Sequence, residues 1–74
     1  MILTELRKGD RALIRKIHAG PELRNRLHSF GIIPGEWLEV KGCSLARQTM
    51  EIEVDRTLIA LRKEEAEKIE VEPE

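Results

Sequence analysis

From Thr49 to Val54 the chain alternates strictly: Met50, Ile52 and Val54 are apolar, while Thr49, Glu51 and Glu53 are polar. A period of two puts one face of a strand on a core and the other in water, and it does not match the 3.6-residue period of a helix. Asp55-Arg56 follows, and then a β-rich run from Thr57 to Arg62. Two residues is the commonest hairpin loop, although Asp-Arg lacks the glycine that such loops prefer. A lone hairpin is marginal in water. The remainder of the 74 residues must therefore supply further strands or a helix to cover the apolar face.

Ile2, Leu3 and Leu6 fit one helical turn with Thr4 as its cap. Lys8-Gly9-Asp10 reads as a turn. A strand is expected from about residue 10 to 18, with Ala12, Ile14 and Lys16 on one side and Leu13, Arg15 and Ile17 on the other. That alternation is imperfect. Pro21 suits the first position of a helix, and Leu23, Leu27 and Phe30 recur at i, i+4 and i+7. Gly31 can end that helix in the left-handed conformation, which gives a helix over about residues 21–30. Pro34-Gly35 has the chemistry of a type II turn. A strand over residues 37–42 and a loop over 43–48 lead to the alternating segment. A helix of one or two turns is expected over residues 63–68, with Glu64 and Lys68 paired at i, i+4, and a last strand over 69–72.

No repeat, low-complexity tract or linker interrupts this order, so residues 1–74 read as one domain. The expected fold class is mainly β: a small SH3-like barrel of about five strands with a short helix after the first strand. Curling the sheet on itself protects its edges and lets one core serve every strand.

Composition narrows the function. Thirteen Lys plus Arg against fourteen Asp plus Glu leave a formal charge of -1, without the basic excess of a sequence-independent nucleic-acid binder. No stretch approaches the ~20 apolar residues of a membrane span, and the N-terminus has no basic run followed by an apolar core, so a cytoplasmic protein without membrane insertion is expected. Cys43 is the one cysteine, so no internal disulfide can staple the fold. His18, His28 and Cys43 are the only soft metal ligands and lack the local spacing of a structural site. Ser29 and Ser44 are not in a nucleophile elbow, and no phosphate-binding loop motif occurs. No catalytic, cofactor-binding or metal-binding residue is assigned, and an enzyme is not expected. Phe30 and Trp37 are the only aromatics. Phe30 is assigned to the apolar helix face, and Trp37 to the core in preference to a surface anchor, which leaves no stacking platform for proline-rich peptides or single-stranded RNA.

An ordered set of residues spans nearly the whole chain. Leu3, Leu6 and Gly9 come first, then a strand ending in Ala19-Gly20, then Arg26-Leu27 with Phe30-Gly31-Ile32. Pro34-Gly35 follows, and Ile59-Ala60-Leu61-Arg62 leads into Glu65-Ala66, Ile69 and Val71. This set resembles the FeoA family, the accessory proteins of bacterial ferrous-iron transport. The resemblance implies an SH3-like barrel, a cytosolic location and an accessory or regulatory role. It also implies binding to the cytosolic part of the FeoB-type transporter, which carries a GTPase domain. It departs at Ser44–Thr49, where the family often has a Gly-Asp-Pro-like element. The expected partner-binding residues are Arg24, Arg26 and His28. Arg26 matches the family's arginine before leucine, and guanidinium forks suit carboxylates on a partner. Two alternatives are a regulatory module of iron-dependent gene control, which would need a DNA-binding partner chain, and a self-assembling homo-oligomer joined through exposed strand edges and the apolar run Leu58–Leu61.

Overall fold

The alternating segment folds as the hairpin its pattern requires. Strand β3 (Thr49–Val54) pairs antiparallel with β4 (Thr57–Arg62), from Val54 opposite Thr57 to Thr49 opposite Arg62. Met50, Ile52 and Val54 are buried. The computed structural model describes residues 1–74 and adds a 3-10 turn (Leu3–Glu5), β1 (Arg11–Ile17), helix α1 (Pro21–Ser29) and β2 (Trp37–Cys43) before this hairpin. Helix α2 (Lys63–Ala66) and β5 (Ile69–Pro73) follow it. All five strands form one antiparallel sheet in the order β4-β3-β2-β1-β5.

The hairpin loop is held at a cost. Asp55 and Arg56 both have positive φ, 48° and 66°, as a two-residue loop of the I′ kind demands. Asp tolerates this conformation, whereas Arg meets the steric penalty of about 1–2 kcal/mol that L-residues pay there. Arg56→Gly is therefore expected to raise stability by about 0.5–1 kcal/mol, the strain relief being partly offset by a freer unfolded chain. A higher denaturant midpoint at unchanged slope would show it, while an unchanged or lower midpoint would mean that the Arg56 side chain stabilises the fold by more than its strain costs.

The imperfect alternation of β1 has a structural cause. The β1–β5 register shifts between Ile14 and Lys16, a bulge at Arg15. One extra residue advances the side-chain phase by one. Ile17 thus joins Ala12 and Ile14 in the core, rather than lying with Leu13 and Arg15. A second bulge between Val40 and Gly42 places Lys41 over the outer face of β2 and β3.

Helix α1 ends one residue earlier than its apolar spacing predicts. Gly31 has φ +94°; its N–H donates to the His28 carbonyl at 2.9 Å, and the Ile32 N–H donates to the Leu27 carbonyl at 3.1 Å. This is a Schellman cap, whose usual apolar contact is between the residues that Leu27 and Ile32 occupy here. Both are fully buried. The reversal returns Ile32 to the core and leaves Phe30 41% exposed, which corrects its assignment to the buried helix face. The Pro34-Gly35 turn forms as expected, with Gly35 at φ +98° and the Glu36 N–H bonded to the Ile33 carbonyl at 3.0 Å.

The 17 buried apolar residues form one cluster, drawn from every strand, the N-terminal turn and both helices. The sheet curls around them without a hydrogen-bonded seam between β4 and β5. The N-terminus covers the outer edge of β5: the Val71 N–H donates to the Met1 carbonyl at 2.7 Å, and Ile2 bridges Glu70. Helix α2 packs against β3, β4 and the N-terminal turn. It stops at Ala66, so Lys68 lies beyond it, and the expected Glu64–Lys68 ion pair does not form.

Candidate partner-binding surface

Arg24, Arg26 and His28 all lie on α1, but the structure gives them different surroundings. Arg26 Nη1 is 2.9 Å from Glu65 Oε2, with the Arg side chain 60% exposed and the Glu side chain 11%. Glu65 Oε1 accepts the Arg62 N–H at 2.9 Å, so both carboxylate oxygens are engaged. Glu65 is the sole polar residue in the buried set. Burying an unpaired carboxylate is costly, and Arg26 supplies its counter-charge. The Arg26 guanidinium also lies over the exposed Phe30 ring, 5.9 Å from its centroid. Arg26 therefore ties α1 to α2 and still presents an open face to solvent. Arg24 is exposed and has no ion-pair partner within the chain. His28 is half-buried, and its Nε2 is enclosed without a hydrogen-bond partner.

The outer face of the sheet carries a second surface that the sequence reading missed. Arg11 lies opposite Glu39, Glu39 opposite Glu53, and Glu53 opposite Leu58, a row across four strands. Trp37 stands beside this row, 45% exposed, with the Arg11 guanidinium 5.6 Å from its ring centroid. This corrects the assignment of Trp37 to the core. Leu38 and Val40 point inward, so the alternation of β2 turns Trp37 outward. The same alternation, applied before weighing the aromatic ring's hydrophobicity, would have placed it correctly. Lys41 Nζ is 3.0 Å from Glu39 Oε2 and 3.2 Å from Glu53 Oε1. The hydrogen bonds that Lys41 Nζ donates to these two carboxylates, Glu39 first, raise the Lys41 pKa above its ordinary value.

His18 Nε2 lies 2.7 Å from Glu70 Oε1. That hydrogen bond holds the Glu70 carboxyl below its ordinary pKa. Cys43 is exposed and free. No group of three or more His, Cys, Asp or Glu side chains converges, so His18, His28 and Cys43 do not form a common ligand set. No helix is long and apolar enough to cross a membrane.

The family model for the FeoA domain matches residues 1–73. The chain belongs to the FeoA family. It is 42% identical over 71 residues to the putative Fe(2+) transport protein A of Campylobacter jejuni, covering 96% of each chain. It is 33% identical over 72 residues to a Porphyromonas gingivalis protein described as a fusion of Fe(2+) transport protein A with the Fe(2+) transporter FeoB. That match takes in 97% of this chain and 8% of the fusion. Among solved structures, the FeoA protein from Chlorobium tepidum superposes with a TM-score of 0.92 at 34% identity, over 99% of this chain and 70% of that one. The SH3-like expectation for the five-stranded sheet is met by this FeoA-family fold, and the departure at Ser44–Thr49 does not disturb the β2–β3 pairing that flanks it.

Proposed function

We propose that this chain is a non-enzymatic accessory or regulatory module of ferrous-iron transport that binds the cytosolic part of a FeoB-type transporter. The observation that carries the reading is the Porphyromonas gingivalis protein, in which a domain related to this one is covalently joined to FeoB. A covalent link supplies a high effective concentration, so a fused domain can act on its neighbour through a weak interface. A separate chain with the same role needs a docking surface of its own. Helix α1 supports that role through Arg24, whose charge is unspent within the fold, with the open side of the Arg26 guanidinium and His28 nearby. Acidic groups on the transporter are the matching chemistry.

The test is binding of the purified chain to the detergent-solubilised cognate transporter and to its isolated GTPase domain, with and without nucleotide. Arg24→Glu is expected to weaken binding by about tenfold or more, since it replaces an attraction by a repulsion at the interface. Wild-type affinity in that variant would remove α1 from the interface. Failure of the wild-type chain to bind either target would overturn the transporter reading.

Self-association is a second reading, favoured by one observation. Strand β4 is an end strand of the sheet, and Leu58 on its outer face is 60% exposed. Light scattering that returned a monomer mass across a concentration series would dispose of it.

A further inference from the structure

A concavity of about 300 Å³ opens between the β2–β3 loop, the N-terminal turn and α2. Arg47 and Lys63 supply its charge, Thr4 and Thr49 hydroxyl groups, and Cys43 and Ala46 its exposed apolar part, with the core residues Met50 and Ala66 beneath. No carboxylate lines it. Each other concavity of the surface includes at least one Asp or Glu. On a chain with a formal charge of -1, this is the one recess where positive charge goes unanswered.

Arg47 is held in place, and both cations are free of ion pairs. Arg47 Nη2 donates to the Leu6 carbonyl at 2.9 Å, which fixes the guanidinium against the N-terminal turn without neutralising it. Neither Arg47 nor Lys63 has a carboxylate partner within ion-pair distance. The loop that bears Arg47 is pinned: Ser44 Oγ accepts the N–H groups of Gln48 and Thr49, each at 3.0 Å. Lys63 N–H donates to the Gln48 carbonyl at 2.9 Å, so the two cation-bearing segments are joined through the backbone. Leu45, at the tip of the same loop, is 96% exposed. The surface thus sets an apolar knob beside a recess of two cations and two hydroxyls.

We infer that this recess binds an acidic segment of a protein partner, a carboxylate side chain seated between Arg47 and Lys63 with an apolar neighbour resting against Ala46 and Leu45. The carboxylate is the complement of an uncompensated pair of cations, and Arg presents it with a fixed fork of donors. The exposed Leu45 side chain beside the cations favours a peptide over a free inorganic anion. The site is separate from the α1 surface and does not depend on the transporter reading.

The test is an NMR titration of the whole chain with two probes: a short peptide containing Leu-Glu-Asp, and inorganic phosphate. The peptide is expected to shift amides selectively in residues 43–50 and 63–66. Arg47→Glu with Lys63→Glu is expected to weaken its binding by about tenfold or more. Lys8→Glu with Lys68→Glu makes the same change in net charge at exposed positions away from the recess and is expected to bind as the wild type does. Equal weakening in both double variants would reduce the effect to net charge and overturn the proposal. So would phosphate shifts without peptide shifts, or no selective shift at millimolar peptide.

Discussion

Leu27→Ala is expected to lower folding stability by about 2–5 kcal/mol, the range for truncating a well-packed aliphatic side chain. Leu27 is the one fully buried residue of α1, with only Leu23 beside it partly packed on the core. Its side chain holds the helix to the sheet, and its carbonyl receives the Ile32 N–H that turns the chain back. Collapse around the cavity is restricted because Ile32 and the strands are themselves fixed by the sheet and the Schellman cap. A domain of this length has about 4–11 kcal/mol of total stability, so the loss brings the variant close to the unfolding midpoint. Chemical denaturation followed by circular dichroism measures it. A loss under about 1 kcal/mol would show that α1 is peripheral to the cooperative unit.

Arg26→Glu is expected to cost about 2–4 kcal/mol. The reference is the loss of about 3–5 kcal/mol on breaking a buried ion pair, reduced because Arg26 is largely exposed and its attraction is screened by water. The loss arises at the other end of the pair: Glu65 is held against the core with one oxygen on the Arg62 N–H, and a second carboxylate would be brought to its remaining oxygen. Arg24→Glu is the control. It makes the same charge change on the same helix without an ion-pair partner, and should stay within about 0.5 kcal/mol of wild type. Equal effects from the two variants would assign the loss to helix electrostatics rather than to Glu65. The comparison also governs the binding experiments, because a docking defect in an Arg26 variant reports on the interface only where the fold is intact. Charge reversal at Arg24 alone is therefore the cleaner probe of α1.

Much of the fold was legible because its signals are local. The Thr49–Val54 alternation, the Pro-Gly turn and the Pro21-to-Gly31 helix each lie within a few residues, and the β3–β4 hairpin needs only a two-residue loop. The ordered set from Leu3 to Val71 was enough to point to the family. Two of the errors lie where a phase is reset, while Trp37 was misplaced because its ring was weighed above the regular alternation of β2. A bulge at Arg15 moved Ile17 to the core, and the cap at Gly31 moved Phe30 out of it. A bulge leaves no fixed residue signature when the extra residue is not glycine, so alternation read from sequence runs on through it.

The candidate site divides in the same way. The residues along the chain are enough to show that α1 carries Arg24, Arg26 and His28, that the charges nearly cancel, and that Phe30 and Trp37 are the only aromatics. Tertiary structure alone decided how those charges are used. Glu65 is 39 positions from Arg26, yet it takes up that arginine's charge, while Arg24 keeps its own. Arg47 and Lys63 are joined into one recess by the closing of a loop over the N-terminal turn, 41 residues away in sequence at the Leu6 carbonyl. The physical reason is that an ion pair or a charged recess depends on distances through space, set by register, curl and bulges. The spacing of residues along a chain fixes those distances only within a single helix or strand.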